Sequence, residues 1–217
     1  LELVRRFDPG PDGHFILAGD DSPTKRFGPH VEGAGVHHNP TPGPADGEWL
    51  YGHNWVSLCM LAQHPLWGVI ALPLQSLLYV RQRDVPKLDE KYGWEFRTKH
   101  HMLVELVTWF VAIVRAADVK CQIWLTVDGA YAARPVLRPL LAQQVVVFSR
   151  LRKDAALFDL PSPPKSKTLG RPPIYGAQRL SLSKRAAHPE GWDSISYNCR
   201  GKEVTRQYKT FLATSRL

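Results

Sequence analysis

Between Thr98 and Ala117 the apolar residues Met102, Leu103, Leu106, Val107, Phe110, Val111 and Val114 follow one another at steps of 1, 3, 1, 3, 1 and 3. Only an α-helix gathers residues so spaced into one stripe, and a stripe of that length has to be buried. The segment predicts a long amphipathic helix, and Thr98 stands where an N-cap is needed.

The apolar runs on either side are of another kind. Phe15–Ala18, Trp55–Ala62, Trp67–Val80, Lys120–Val127 and Val145–Phe148 are rich in Val, Leu and Ile and carry no helical period. They predict strands, with a tight turn around His64-Pro65 between the second and the third. Tyr131–Gln143 predicts a short helix whose regularity is limited by Pro135 and Pro139. The order is β-β-β-α-β-α-β, which implies a three-stranded antiparallel meander continued by parallel strands, with helices packed on the mixed sheet. Pattern alone leaves several α/β folds open.

The rest reads as connections. Pro29–Glu48, dense in Gly, Pro, His and Asn, predicts a long loop, and Arg81–Trp94 a polar one. Pro161–Pro173 (PSPPKSKTLGRPP) predicts a linker or mobile basic arm. Trp192–Tyr197 and Glu203–Thr214 flank Arg200-Gly201-Lys202 and predict a hairpin. We expect a core over residues 7–160 and a basic, β-rich extension over 161–217. Trp55, Trp67, Trp109 and Trp124 are most simply core residues.

Charge separates the same regions. Residues 1–144 hold 14 Lys and Arg against 15 Asp and Glu, whereas 145–217 hold 14 against five. A basic block of that density is the footprint of a polyanion-binding face, although charge alone does not separate DNA from RNA or from an acidic membrane. No apolar stretch is long and continuous enough to span a bilayer, and residues 1–10 have no apolar signal region. The first residue is Leu1, not Met, which leaves room for sequence upstream. Cys59, Cys121 and Cys199 are widely spaced and odd in number, which fits reduced thiols in the cytoplasm.

Two features carry chemistry. The first strand runs into Asp20-Asp21, and the strand from Lys120 ends at Asp128-Gly129. Carboxylates at the ends of neighbouring strands converge on one cleft, repel each other, and call for a hard cation such as Mg²⁺ or Mn²⁺. On the residues alone, a turn-and-cap reading of Asp21 and Asp128-Gly129 stands beside this one. Ser149-Arg150-Leu151-Arg152-Lys153 leaves the last core strand with three cations placed for phosphate contact, or as a simple charged exit. His37-His38-Asn39 and His53 invite zinc. Adjacent histidines rarely ligate one ion, however, and no Cys lies at ligand spacing, so we expect a hydrogen-bonded loop. His100-His101 read as surface or cap.

The segments FILAGDDSPTK (15–25), GAGVHHNPTPGP (33–44), YGHNWV (51–56), TVDGAY (126–131), SRLRKDAAL (149–157) and YKTFLAT (208–214) together closely resemble a group of bacterial insertion-sequence transposases. These are DDE enzymes with a ribonuclease-H-like core, and the resemblance runs from about residue 7 to the end. It implies a ribonuclease-H-like mixed sheet, metal-dependent cleavage and joining of DNA at transposon ends, and Mg²⁺ or Mn²⁺ as cofactor. The partners implied are transposon ends and target DNA, with homodimerisation of the full-length protein and no membrane. It assigns the first catalytic, metal-ligating Asp to Asp21 and the second to Asp128, with Asp20 a supporting neighbour. Arg150, Arg152 and Lys153 become DNA contacts, and Lys165, Lys167 and Arg171 could add to them. The family's third acid is a Glu on a helix. Glu190 and Glu203 lie in no helical pattern, so that residue is expected beyond residue 217, and the chain is expected to be truncated. Two expectations follow: a transposase catalytic domain that is incomplete here, or a DNA-binding remnant without catalysis.

Overall fold

The long apolar stripe becomes the centre of the fold. The structure is a computed structural model that describes residues 2–7, 9, 13–39, 42–44, 46–151, 155–162, 170, 173–199 and 201–215. The chain divides into two units, Leu1–Arg150 and Leu151–Leu217.

In the first unit a short helix α1 (Glu2–Arg6) precedes β1 (His14–Lys25), β2 (Gly35–His38), β3 (Trp49–His64) and β4 (Gly68–Tyr79). Then come α2 (Val85–Tyr92), α3 (Lys99–Ala116), β5 (Gln122–Val127), α4 (Arg134–Ala142) and β6 (Val145–Ser149). The sheet runs β2-β3-β1-β5-β6, with β4 also paired to β3. β1, β3 and β4 form the antiparallel meander, while β1–β5 and β5–β6 are parallel. This is the mixed α/β sheet with flanking helices that the sequence predicts.

α3 packs its stripe on one face of this sheet. All seven stripe residues are buried, against Phe15 and Leu17 of β1, Val56, Leu58 and Met60 of β3, and Ile123 and Leu125 of β5. Thr98 caps the helix as expected, its hydroxyl accepting the backbone N–H of His101 at 3.2 Å. α4 adds Val136 and Leu140 to the same core.

Four expectations change. β1 does not stop at Ala18 but continues through Asp20 and Asp21 to Lys25, because β3 pairs with it all the way to Lys25 opposite Gly52. Its parallel pairing with β5 ends earlier, at Gly19 opposite Val127. The long loop contains β2, an edge strand laid on the first residues of β3. The polar connection contains a 3₁₀ turn (Gln82–Asp84) and α2, which buries Leu88. Trp67 and Trp109 are exposed: Trp67 stacks on His64 at the β3–β4 turn, and Trp109 lies off the α3 stripe.

The second unit contains β7 (Leu157–Phe158), β8 (Arg179–Leu180), α5 (Leu182–Ala187), β9 (Asp193–Cys199), β10 (Lys202–Tyr208) and β11 (Thr214–Ser215). The short strands form a sheet in the order β11-β7-β8, and β9–β10 is the predicted hairpin. Its turn holds Gly201 at φ 78°, a left-handed conformation suited to glycine, with the Asn198 side chain accepting the Gly201 N–H at 2.9 Å. Much of the Pro-rich 161–173 segment lies outside the described residues.

Candidate active site

The offset between the two ladders of β1 creates the site. The parallel pairing with β5 ends at Gly19 opposite Val127, so the residues that follow on the two chains emerge together where that ladder stops. These are Asp20 and Asp21 on β1 and Asp128 after β5. They line one open cleft of about 570 Å³, bounded also by His38, Asn39 and Asp46. Clefts at the carboxyl ends of parallel strands are where sheets of this kind hold their ligands.

Each carboxylate is held in its own way. Asp21 receives the Tyr131 hydroxyl on Oδ1 at 3.0 Å and the Lys99 ammonium on Oδ2 at 2.5 Å. Asp128 Oδ1 accepts the backbone N–H of Ala130 at 2.9 Å and of Tyr131 at 3.3 Å, so the turn-and-cap geometry is real. The capped carboxylate still lines the cleft beside Asp20 and Asp21. Asp20 curls back to accept the N–H of Asp21 at 2.8 Å.

The electrostatics show how close the acids are. Desolvation, reinforced by the negative charges of Asp21 and Asp128, raises the Asp20 carboxyl above its ordinary value of 3.8. Burial, and then the carboxylates of Asp21, Asp20 and Asp128, hold the Tyr131 phenol well above its ordinary range, so it stays a protonated donor to Asp21.

The Asp20 shift has a sign that can be tested. Its raised folded-state value means that the folded chain holds the proton longer than the unfolded chain. Stability from this group is therefore present below pH 3.8 and is lost as pH rises through the shifted value. Asp20→Asn is expected to raise the thermal unfolding midpoint at pH 7 and to match the parent near pH 3. A variant that melts below the parent at pH 7 sinks this account of the acid cluster.

The supporting shell was largely hidden in the sequence. Lys99 and Tyr131 reach Asp21 across 78 and 110 residues. His100, expected as surface or cap, meets the Ala130 carbonyl at 3.0 Å and sits edge-on to the Tyr131 ring, so it braces the Asp128 turn from α3. Only the TVDGAY motif gave a signal, since it brought Tyr131 along with Asp128.

The basic exit adjoins the same turn. Ser149 Oγ donates to the Asp128 carbonyl at 2.8 Å, and a Cβ on Gly129 would lie 2.7 Å from the Arg150 carbonyl oxygen. Glycine at 129 is what lets the two backbones approach. The Arg150 side chain is exposed, whereas Arg152 and Lys153 lie outside the described residues, as do Lys165, Lys167 and Arg171.

The histidines do not converge. His37 is buried on β2, and burial, then the charges of Arg81 and Lys99, lowers its pKa. His38 is exposed beside Glu48 and Trp49, and His53 bonds to Arg26 and the Glu32 carbonyl. Among the described residues no group of three or more His, Cys, Asp or Glu is arranged to hold a metal ion.

A family model described as DDE superfamily endonuclease matches residues 2–211, nearly the whole chain. The chain belongs to this family of DDE superfamily endonucleases. No curated protein matches it. The mixed sheet of this DDE endonuclease agrees with a ribonuclease-H-like DDE fold. Membership supports a transposase-like nuclease domain, in a nuclease family whose substrate class is DNA. No helix among the described residues of this DDE chain is long and apolar enough to cross a membrane.

Proposed function

We propose that this chain is the catalytic domain of a DNA transposase, in which Asp21 and Asp128 ligate the divalent metal used to cut and join strands at transposon ends. The observation that supports this most is that both carboxylates follow the end of the parallel β1–β5 ladder and line one cleft.

DDE endonucleases usually use divalent metal ions. The residues fit such an ion: the donors are hard carboxylate oxygens, and Asp21 already accepts a cationic group, the Lys99 ammonium. Two protein carboxylates are enough for Mg²⁺ or Mn²⁺, which keeps waters and takes the remaining ligands from substrate phosphate. When bound, the ion supplies Lewis-acid activation of the scissile phosphate and of the attacking water or 3′-hydroxyl.

The chain's own residues do the rest. Tyr131 orients Asp21, the N–H groups of Ala130 and Tyr131 orient Asp128, and His100 holds their turn. Arg150, Arg152 and Lys153 neutralise backbone phosphates and set the register of the strand without reading sequence.

Nicking of supercoiled plasmid in Mn²⁺ tests the reading, using this chain and a form extended at its C-terminus by an acidic helix. Nicking by the extended form is expected to fall at least about a hundredfold in Asp21→Asn and in Asp128→Asn. Nicking that persists in both variants sinks the assignment. Salt-dependent DNA binding with no metal-dependent nicking in either form favours the second reading, a DNA-binding remnant.

A further inference from the structure

Both oxygens of Asp21 are already engaged, one by the Tyr131 hydroxyl and the other by Lys99 Nζ at 2.5 Å. A divalent ion cannot take Oδ2 while the ammonium is there. We propose that Lys99 is the built-in counter-ion of Asp21, which it holds in the absence of a divalent ion and releases when one binds. This rests on reading Asp21 as a metal ligand.

Three observations support it. First, the pair is displaceable. The Lys99 side chain is 33% exposed and that of Asp21 24%. A Lys–carboxylate pair at such exposure is weak, and the lysine stem is flexible. A divalent cation with a second carboxylate, Asp128, beside it competes favourably.

Second, the displaced ammonium has somewhere to go. Lys99 Nζ lies 5.3 Å from the centroid of the Tyr79 ring, within cation–π range. Tyr79 stands opposite Asn54 in the β3–β4 register, and its ring is 6.2 Å from that of His37. Asn54 Oδ1 and His37 Nε2 are buried there without a hydrogen-bond partner. Buried polar atoms are rarely left unpaired, so two unsatisfied atoms around one ring mark a place that can receive a donor.

Third, the arrangement removes a conflict. Without a metal, Asp20, Asp21 and Asp128 share one cleft, and a tethered cation offsets their repulsion. The first residue of α3 thus stands in for the ion, and the helix that anchors it buries seven side chains in the core of the unit.

Mn²⁺ binding to the 217-residue chain, followed by the electron paramagnetic resonance of the free ion, tests this. Lys99→Met and Lys99→Gln remove the competitor, and each is expected to bind Mn²⁺ about tenfold more tightly than the parent. Lys99→Arg keeps the charge and adds a fork that grips a carboxylate, so it is expected to bind no more tightly than the parent. Asp21→Asn should lose the site in every background.

Unchanged or weaker binding in both neutral variants, with Asp21→Asn still abolishing it, overturns the role of Lys99 and leaves the metal site standing. Binding that survives Asp21→Asn overturns the site reading, and the counter-ion role with it. The unmutated chain gives an independent readout through reductive methylation and mass spectrometry. The rate of Lys99 modification is expected to change severalfold at saturating Mg²⁺, and a constant rate overturns the proposal.

Discussion

Phe110→Ala is expected to destabilise the chain by about 3–5 kcal/mol, read as a lower urea midpoint with an unchanged slope. Phe110 is 1% exposed at the middle of α3, and its ring meets that of Phe15 edge-on at 5.5 Å. Truncation removes an aromatic pair and leaves a cavity between the helix and the one strand that carries Asp21. A domain of this size is stable by only about 5–15 kcal/mol, so the loss is a large share of the total. The same change loosens the seat of α3, whose first residue is Lys99. A midpoint shift worth under about 1 kcal/mol would falsify the view that this helix–strand contact organises the core.

Gly52→Ala is expected to cost about 3 kcal/mol, from a different cause. A Cβ at this position meets the Thr24 carbonyl group and comes within 3.1 Å of the Arg26 nitrogen. These are backbone atoms and cannot turn aside as a side chain can. The ladder between β1 and β3 must part at Lys25 opposite Gly52, four residues beyond Asp21. Amide exchange over residues 20–25 should therefore accelerate more than exchange in α3, and Mn²⁺ affinity should fall with it. Gly68→Ala is the control. Nothing lies within 4 Å of its Cβ, and its φ of 73° should cost only about 1 kcal/mol. Equal effects at the two positions would mean that strain, not the close approach, sets the cost.

Parts of this arrangement were readable from the residues because they follow simple periods. The α3 stripe repeats over its whole length, so all seven of its core positions were predicted and are buried. The end of β1 was not readable, since Gly19-Asp20-Asp21-Ser22-Pro23-Thr24-Lys25 has neither apolar alternation nor a favourable composition. It is a strand because β3 pairs with it, and Pro23 is tolerated where only one side has a neighbour. β2 was hidden in the same way within a Gly- and Pro-rich loop. Asp20, Asp21 and Asp128 were legible because each ends an apolar run. Lys99 was not, because a lysine in the first turn of an amphipathic helix looks like any solvated side chain until its partner on β1 is known.

The uneven pairing of β1 has one more effect. From Asp20 to Lys25 the strand has a hydrogen-bonded neighbour on the β3 side and none in the ladder it shares with β5. Such a border is a template on which a foreign strand could add, with aggregation as the usual result. Here it is closed chemically: the Asp20 side chain takes up the N–H of Asp21, and Pro23 has no N–H to offer. The acid that sits beside the proposed ligands thus also makes the margin of the sheet unattractive to another chain, and concentrated solutions of Asp20→Val should associate where the parent stays dispersed.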